Sequence, residues 1–281
     1  MRADRLTEFR RGDLVFDVID SGPIGGIPVV LLHGWPQRAS TWDAVSANLH
    51  ERGARTFAPD QRGYSPRARP RSRFAYHVNE LIADVRALVS AIGSGPVHLV
   101  GHDWGAAISW AVAGRHPESI ATLTAVSVSH PQAFIRSFVR SNQLLLSWYI
   151  AAFQVPWLPE KVLGGRLGER LLRNSGMTPE MIKSYRANYV EYGAVQGGLG
   201  YYRSLPTLRP RQVTGKIIVP TTFVWSDGEP AISRWSAQAT ERFVDADYTF
   251  ELMEGVNHWI PELHPVELAE IIARRAGLDA A

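Results

Sequence analysis

The stretch VHLVGHDWGAA, residues 97–107, decides the fold. Val97–Val100 is a short apolar run that is typical of a buried strand, and Ala106–Ala113 indicates a helix. Between them, Gly101-His102-Asp103-Trp104-Gly105 has the glycine spacing of a nucleophile elbow, a sharp turn that exposes one reactive side chain. We therefore predict that Asp103 projects from the carboxyl end of a strand, where open parallel sheets bind their ligands.

An aspartate before a helix can also be an ordinary N-cap, so a second motif bears on the interpretation. His33-Gly34-Trp35-Pro36 follows the apolar strand Ile27–Leu32. A loop in this position can supply one backbone N–H of an oxyanion hole, and the residue after the nucleophile supplies the other. We therefore predict that the amides of Trp35 and Trp104 serve a nucleophile at Asp103.

Two later motifs supply the remaining groups of a catalytic triad. Residues 255–259, Gly-Val-Asn-His-Trp, follow the last predicted strand and place His258 on a loop at the same end of the sheet. Residues 225–230, Trp-Ser-Asp-Gly-Glu-Pro, follow the strand before it and offer Asp227 and Glu229. The chain order of nucleophile, acid and histidine predicts a general base at His258, oriented by one of these two carboxylates.

The order of the elements places these motifs in one α/β core. Short apolar strands alternate with helices as far as residue 128, which indicates a mostly parallel sheet with helices on both faces. Residues 132–211 are rich in aromatic residues and proline, have helical character and contain no convincing strand, and the alternation then returns. We predict a core of residues 1–131 and 212–281 with a helical cap inserted at residues 132–211.

Composition excludes several classes of protein. The 281 residues include no cysteine, so disulfides, thiolate metal sites and cysteine nucleophiles are absent. The lack of cysteine and of an apolar leader predicts a cytoplasmic protein. No apolar run approaches the ~18 residues of a membrane span, so we expect no stable membrane insertion. Arginine-rich stretches at residues 62–73 and 203–211 lie between regular elements, and we expect solvated loops there and no nucleic-acid partner.

Together the motifs resemble those of an epoxide hydrolase, on the Asp-nucleophile branch of the α/β-hydrolase superfamily. The resemblance covers nearly the whole chain: HGWP at 33–36, DQRGYS at 60–65, GHDWG at 101–105, SHP at 129–131 and GVNHW at 255–259. It implies an α/β-hydrolase fold and conversion of a small apolar epoxide and water to a vicinal diol. The reaction would pass through an alkyl-enzyme ester on Asp103 and need no cofactor. The family often has Trp-Gly-x-x-Asp-Pro at the end of a strand. Aligned with residues 225–230, this pattern implies that Glu229 is the acid of the triad.

The resemblance also implies two cap tyrosines that hydrogen-bond the epoxide oxygen. Tyr149 lies upstream of Phe153-Gln154-Val155-Pro156, and Tyr202 precedes an arginine in Gly200-Tyr201-Tyr202-Arg203. Tyr201 is an adjacent competitor, and packing within the cap is the alternative for each of them. We expect an apolar substrate pocket whose lining includes Trp35, Trp104, Phe153 and Trp157.

Other functions remain open at this stage. A haloalkane dehalogenase would share the fold and the Asp–His chemistry, with the Trp104 indole donating to a leaving halide. Fluoroacetate dehalogenases usually place arginine after the nucleophile, where this chain has Trp104, and a serine esterase conflicts with Asp103 in the elbow. A non-catalytic ligand-binding protein of the same fold is the alternative from a different class. A homodimer is also left open.

Overall fold

The computed structural model describes residues 3–208 and 215–278, which form an eight-stranded sheet. In chain order, the strands are Glu8–Arg11 (β1), Leu14–Ser21 (β2), Ile27–Leu32 (β3), Ala54–Pro59 (β4), Val97–His102 (β5), Ile120–Val126 (β6), Thr221–Gly228 (β7) and Tyr248–Asn257 (β8). Their spatial order is β1-β2-β4-β3-β5-β6-β7-β8. From β4 to β8 neighbours run parallel, whereas β2 is antiparallel to both β1 and β4. The predicted mostly parallel sheet is confirmed.

Helices cover both faces of this sheet. The core helices are Asp43–His50 (α1), Val78–Ile92 (α2), Trp104–Arg115 (α3), Arg234–Ala239 (α11), Ile260–Leu263 (α12) and Pro265–Ala276 (α13). Along β3, Val30 and Leu32 join the core that includes α2 and α3, whereas Val29 and Leu31 join the core that includes α1 and α13. Successive side chains of a strand point to opposite faces, so a strand covered on both faces needs an apolar residue at each position.

The chain between β6 and β7 is helical. Its helices are Pro131–Ser137 (α4), Gln143–Leu146 (α5), Trp148–Ala152 (α6), Leu158–Leu163 (α7), Arg166–Asn174 (α8), Pro179–Tyr185 (α9) and Val195–Ser204 (α10). Within residues 132–208 the structure shows helices and turns and no strand. The end of the predicted cap at residue 211 lies outside the described residues, and the division into core and cap stays a prediction.

One local expectation from the sequence is wrong. The loop after β4 is not solvated at Arg62, which is buried and forms an ion pair with Asp84 of α2 at 2.7 Å. Arg209 and Arg211 of the second basic stretch lie outside the described residues.

Candidate active site

The turn between β5 and α3 holds Asp103 as a nucleophile elbow does. Asp103 has a φ of 51°, a left-handed backbone that is uncommon for a residue other than glycine, and its side chain makes no N-cap hydrogen bond. A Cβ on Gly105 would overlap the carbonyl oxygen of Leu32, and one on Gly101 would overlap that of Gly105. The glycines are therefore needed for close packing of helix and strand, and the simple N-cap interpretation of Asp103 is wrong.

Two backbone amides lie at the Asp103 carboxylate. The Trp35 amide donates to Oδ1 at 2.7 Å, and the Trp104 amide, like that of Trp35, helps to lower the pKa of this carboxyl group. The loop after β3 comes so close that a Cβ on Gly34 would overlap the Asp103 side chain. Both predicted donors therefore lie at the predicted nucleophile, and the other carboxylate oxygen, Oδ2, points toward His258.

The histidine lies between two carboxylates. His258 Nδ1 is 2.7 Å from Glu229 Oε2, and its Nε2 is 3.8 Å from Asp103 Oδ2. Glu229 is itself oriented by the amide of Ala231, which donates to Oε1 at 2.9 Å. Asp227, the competing acid, is exposed and accepts a hydrogen bond from the Gly255 amide instead. The geometry therefore favours Glu229 as the partner of His258.

Charge and burial oppose each other in this group. Burial alone would lower the pKa of His258, but the carboxylates of Glu229 and Asp103 outweigh it and raise that pKa to about 9. Burial also raises the pKa of Asp103, while the charge of His258 and the two amides lower it. A charged His258 therefore depends on Asp103 remaining ionised, and its pKa must fall when Asp103 loses its charge.

Two tyrosines face this carboxylate from the helical insertion. The rings of Tyr149 and Tyr202 have centroids 5.8 Å apart, and the ring of Tyr202 also packs edge-on against Trp104, next to the nucleophile. Burial, followed by the nearby charge of Asp103, raises the pKa of both phenols. The hydroxyl of Tyr201 instead donates to the carbonyl oxygen of Arg62 at 2.8 Å. The structure thus places Tyr202 at the site, and Tyr201 packs between core and insertion.

One of the four residues expected to line the apolar pocket, Trp157, lies away from the site. Phe153 does contact the site, with ring centroids 5.4 Å from Trp35 and 5.0 Å from Tyr202. Trp104 packs edge-on against Tyr202 at 5.1 Å. Trp157, in contrast, is 84% exposed in the turn before α7, so the expectation that it lines the pocket is wrong. Aromatic composition indicated an apolar surface and gave no sign of which residues face inward.

Several residues that support the site had no predicted role. Tyr189 is fully buried and accepts the indole N–H of Trp35 at 2.8 Å, and no sequence motif pointed to it. His102 Nε2 lies 2.9 Å from the carbonyl oxygen of His258 and its Nδ1 lies 3.2 Å from Gln37 Oε1. Gln37 in turn donates to Glu262, whose pKa burial raises to about 7. In the sequence, only their positions pointed to a role at the site: His102 lies within GHDWG, and Gln37 directly follows HGWP.

The chain is similar to known proteins over most of its length. A family model for the alpha/beta hydrolase fold matches residues 27–265. The AB hydrolase superfamily protein YfhM of Bacillus subtilis (strain 168) is 28% identical, over 92% of this chain and 93% of that protein. Epoxide hydrolase A of Mycobacterium tuberculosis (strain ATCC 25618 / H37Rv) is 26% identical, over 93% of this chain and 94% of that protein.

Similarity of structure extends over the same range. A crystal structure of an epoxide hydrolase from Vigna radiata, 26% identical, superposes with a TM-score of 0.78 over 93% of this chain and 94% of the other. The resemblance to epoxide hydrolases and the α/β-hydrolase fold predicted from the sequence are both confirmed. The chain is a hydrolase that belongs to the α/β-hydrolase fold family.

Proposed function

We propose that this protein hydrolyses epoxides to vicinal diols through an alkyl-enzyme ester on Asp103. The observation that carries the proposal is the pair of buried phenols, Tyr149 and Tyr202, that face a carboxylate in the elbow. A carboxylate can attack an alkyl carbon without prior loss of a proton, and two phenols can stabilise the oxygen that leaves. The epoxide hydrolases among its relatives support the same conclusion.

The first step opens the ring. Oδ2 of Asp103 attacks one epoxide carbon, the carbon–oxygen bond breaks, and the ring oxygen becomes an alkoxide. Tyr149 and Tyr202 donate hydrogen bonds to that oxygen as its charge develops, and one of them passes it a proton. Esterified Asp103 is neutral, so the pKa of His258 falls and its proton replaces the one that the tyrosine gave up.

The second step cleaves the ester. Neutral His258, held by Glu229, takes a proton from water, and the resulting hydroxide attacks the carboxyl carbon of Asp103. The oxyanion forms on Oδ1, which accepts the Trp35 amide, and the Trp104 amide would be the second donor; losing one such donor costs ~2.7–4 kcal/mol. Collapse releases the diol and restores the Asp103 carboxylate and protonated His258. Each turnover thus consumes one water and no net proton.

The dehalogenase alternative is less well supported, because a departing halide does not require the two phenols of Tyr149 and Tyr202. The indole N–H of Trp35 already donates to the Tyr189 hydroxyl at 2.8 Å and would have to give up that partner to bind a halide. The cytoplasmic location and the homodimer considered from the sequence stay predictions.

Substrate class is decided by a turnover screen with the purified protein. We expect diol formation from aryl or aliphatic epoxides, and neither halide release from bromoalkanes nor acid release from short esters at a comparable rate. Diol is measured by chromatography and halide by ion analysis. Halide release without any diol would make the protein a dehalogenase. Ligand-dependent thermal stabilisation without turnover of any substrate would favour a binding protein.

Glu229→Gln is expected to slow ester hydrolysis far more than Asp227→Asn. The amide keeps the shape of Glu229 but removes the charge that stabilises protonated His258, whereas Asp227 contacts only the Gly255 amide at the surface. The general-base contribution of such a histidine is worth about 10²–10⁴-fold, and we expect Glu229→Gln to lose much of it. Single-turnover decay of the ester measures the effect. If Asp227→Asn lost activity while Glu229→Gln stayed active, Asp227 would be the acid that orients His258.

A further inference from the structure

A charge-free stretch of the helical insertion forms an exposed apolar surface. Residues 141–159 contain no Asp, Glu, Lys, Arg or His, and they form α5, α6 and the start of α7. Just before this stretch Val139 is 84% exposed, and within it Leu145 is 74% and Trp148 is 62% exposed. We call this surface the apolar cap face, and its residues are Val139, Leu144, Leu145, Trp148, Trp157 and Leu158.

The outer side of this stretch differs from that of an ordinary surface helix. Its inner side carries Tyr149 and Phe153 together with Gln143, whose amide donates to the carbonyl oxygen of Ala231 at 2.6 Å and accepts the Ser233 amide at 2.9 Å. A helix on a water-exposed surface normally exposes a polar side. Here the exposed side is apolar and carries no charge, which indicates that it meets something other than water.

Cations flank the apolar cap face in the sequence. Arg140 precedes the charge-free stretch, Lys161 and Arg166 follow it, and all three are exposed. Glu160, the acid between them, is engaged by Arg203 at 2.6 Å. Exposed leucine and tryptophan with basic residues close by in the sequence are typical of segments that bind at the boundary of anionic lipid bilayers.

We propose that the apolar cap face docks this protein peripherally on an anionic membrane surface. Leucine and tryptophan side chains would enter the headgroup boundary, where tryptophan is enriched, and each nearby cation would add attraction to anionic headgroups. The described residues include no helix long and apolar enough to cross a membrane, so this contact is with the surface.

A second copy of the chain fits this face less well. It would bring the same three cations, Arg140, Lys161 and Arg166, and Glu160, the acid among them in the sequence, is already paired with Arg203. A second copy therefore offers little complementary charge. Anionic lipid headgroups do offer it, so charge complementarity favours the lipid surface over the homodimer.

Docking through the apolar cap face would bring the candidate active site close to the bilayer. Trp148 points outward from α6 while the next residue, Tyr149, faces Asp103 within the protein. A docked protein would thus hold the wall of its site close to the bilayer, where apolar epoxides partition. This consequence rests on the proposed function, whereas docking itself does not.

Docking is tested by flotation of the full chain with lipid vesicles. We expect the protein to float with vesicles that contain phosphatidylglycerol, to bind pure phosphatidylcholine weakly, and to be released by salt. Leu145→Glu combined with Trp148→Glu should weaken binding by about tenfold or more, since each change removes a large apolar side chain and adds repulsion. Blue-shifted tryptophan emission on binding, lost in the double variant, reports entry of Trp148.

The control is Phe74→Glu, which adds a charge at a 63% exposed aromatic residue outside the face and should leave binding unchanged. Thermal unfolding of the double variant is compared with wild type, and salt release of wild type gives a readout that needs no variant. Absence of wild-type flotation, or equal flotation of the double variant, would overturn the proposal. So would a wild-type dimer in sedimentation that the double variant converts to monomer, because the second copy would then occupy the face. Epoxide turnover in detergent-free buffer separately checks the proposed function.

Discussion

A His258→Gln variant treated with an epoxide that wild type turns over accumulates protein whose mass is increased by that of the epoxide. Asp103 and both tyrosines are in place, so ring opening proceeds. Without a base beside the ester, attack by water should slow by about 10²–10⁴-fold. Intact-mass spectrometry at successive times measures the adduct, and peptide mapping locates it on Asp103.

The same experiment has two matched controls. His264→Gln changes a half-buried histidine six residues along the chain, outside the site, and should leave no adduct. Asp103→Asn should give neither adduct nor diol. In oxygen-18 water, a single turnover of wild type should label the Asp103 carboxylate, because water attacks its carboxyl carbon. The two-step mechanism is wrong if intact mass shows neither label nor adduct with any substrate that is converted.

Sequence reasoning located the parts of the site that depend on local geometry. The elbow at Asp103 requires two glycines at fixed positions, and the packing of Gly101 and Gly105 against neighbouring carbonyl groups shows why. His258 follows β8, and parallel strands bring the loops at their carboxyl ends together, so its meeting with Asp103 could be expected. Both inferences needed only the strand order along the chain and the residue types.

The sequence could not choose between neighbours or orient the insertion. Tyr201 and Tyr202 are adjacent, and only the helix register of α10 sends one hydroxyl to the carbonyl of Arg62 and leaves the other at the site. Asp227 and Glu229 differ by which one bends back toward His258. Trp157 was misplaced because apolar residues on this insertion face outward as well as inward, so composition does not predict burial there.

Tyr149→Phe and Tyr202→Phe are each expected to slow ring opening, because each removes one donor to the developing alkoxide and little volume. A hydrogen bond to a charged group is worth ~1.5–3 kcal/mol, so each change should cost roughly ten- to a hundredfold or more. The double variant should open epoxides almost not at all while it keeps its fold and the Asp103 nucleophile. Pre-steady-state alkylation, followed by the appearance of the mass adduct, measures this step alone.

Tyr201→Phe is the matched control, because it removes an identical hydroxyl one residue away that donates to the carbonyl of Arg62. We expect its alkylation rate to stay near that of wild type while thermal stability falls, since a buried carbonyl loses its donor. A double variant that opens epoxides at the wild-type rate would remove Tyr149 and Tyr202 from the mechanism. A halide is a weaker acceptor than an alkoxide and gains less from either phenol, so activity of wild type on a bromoalkane alone would make the dehalogenase function the better one.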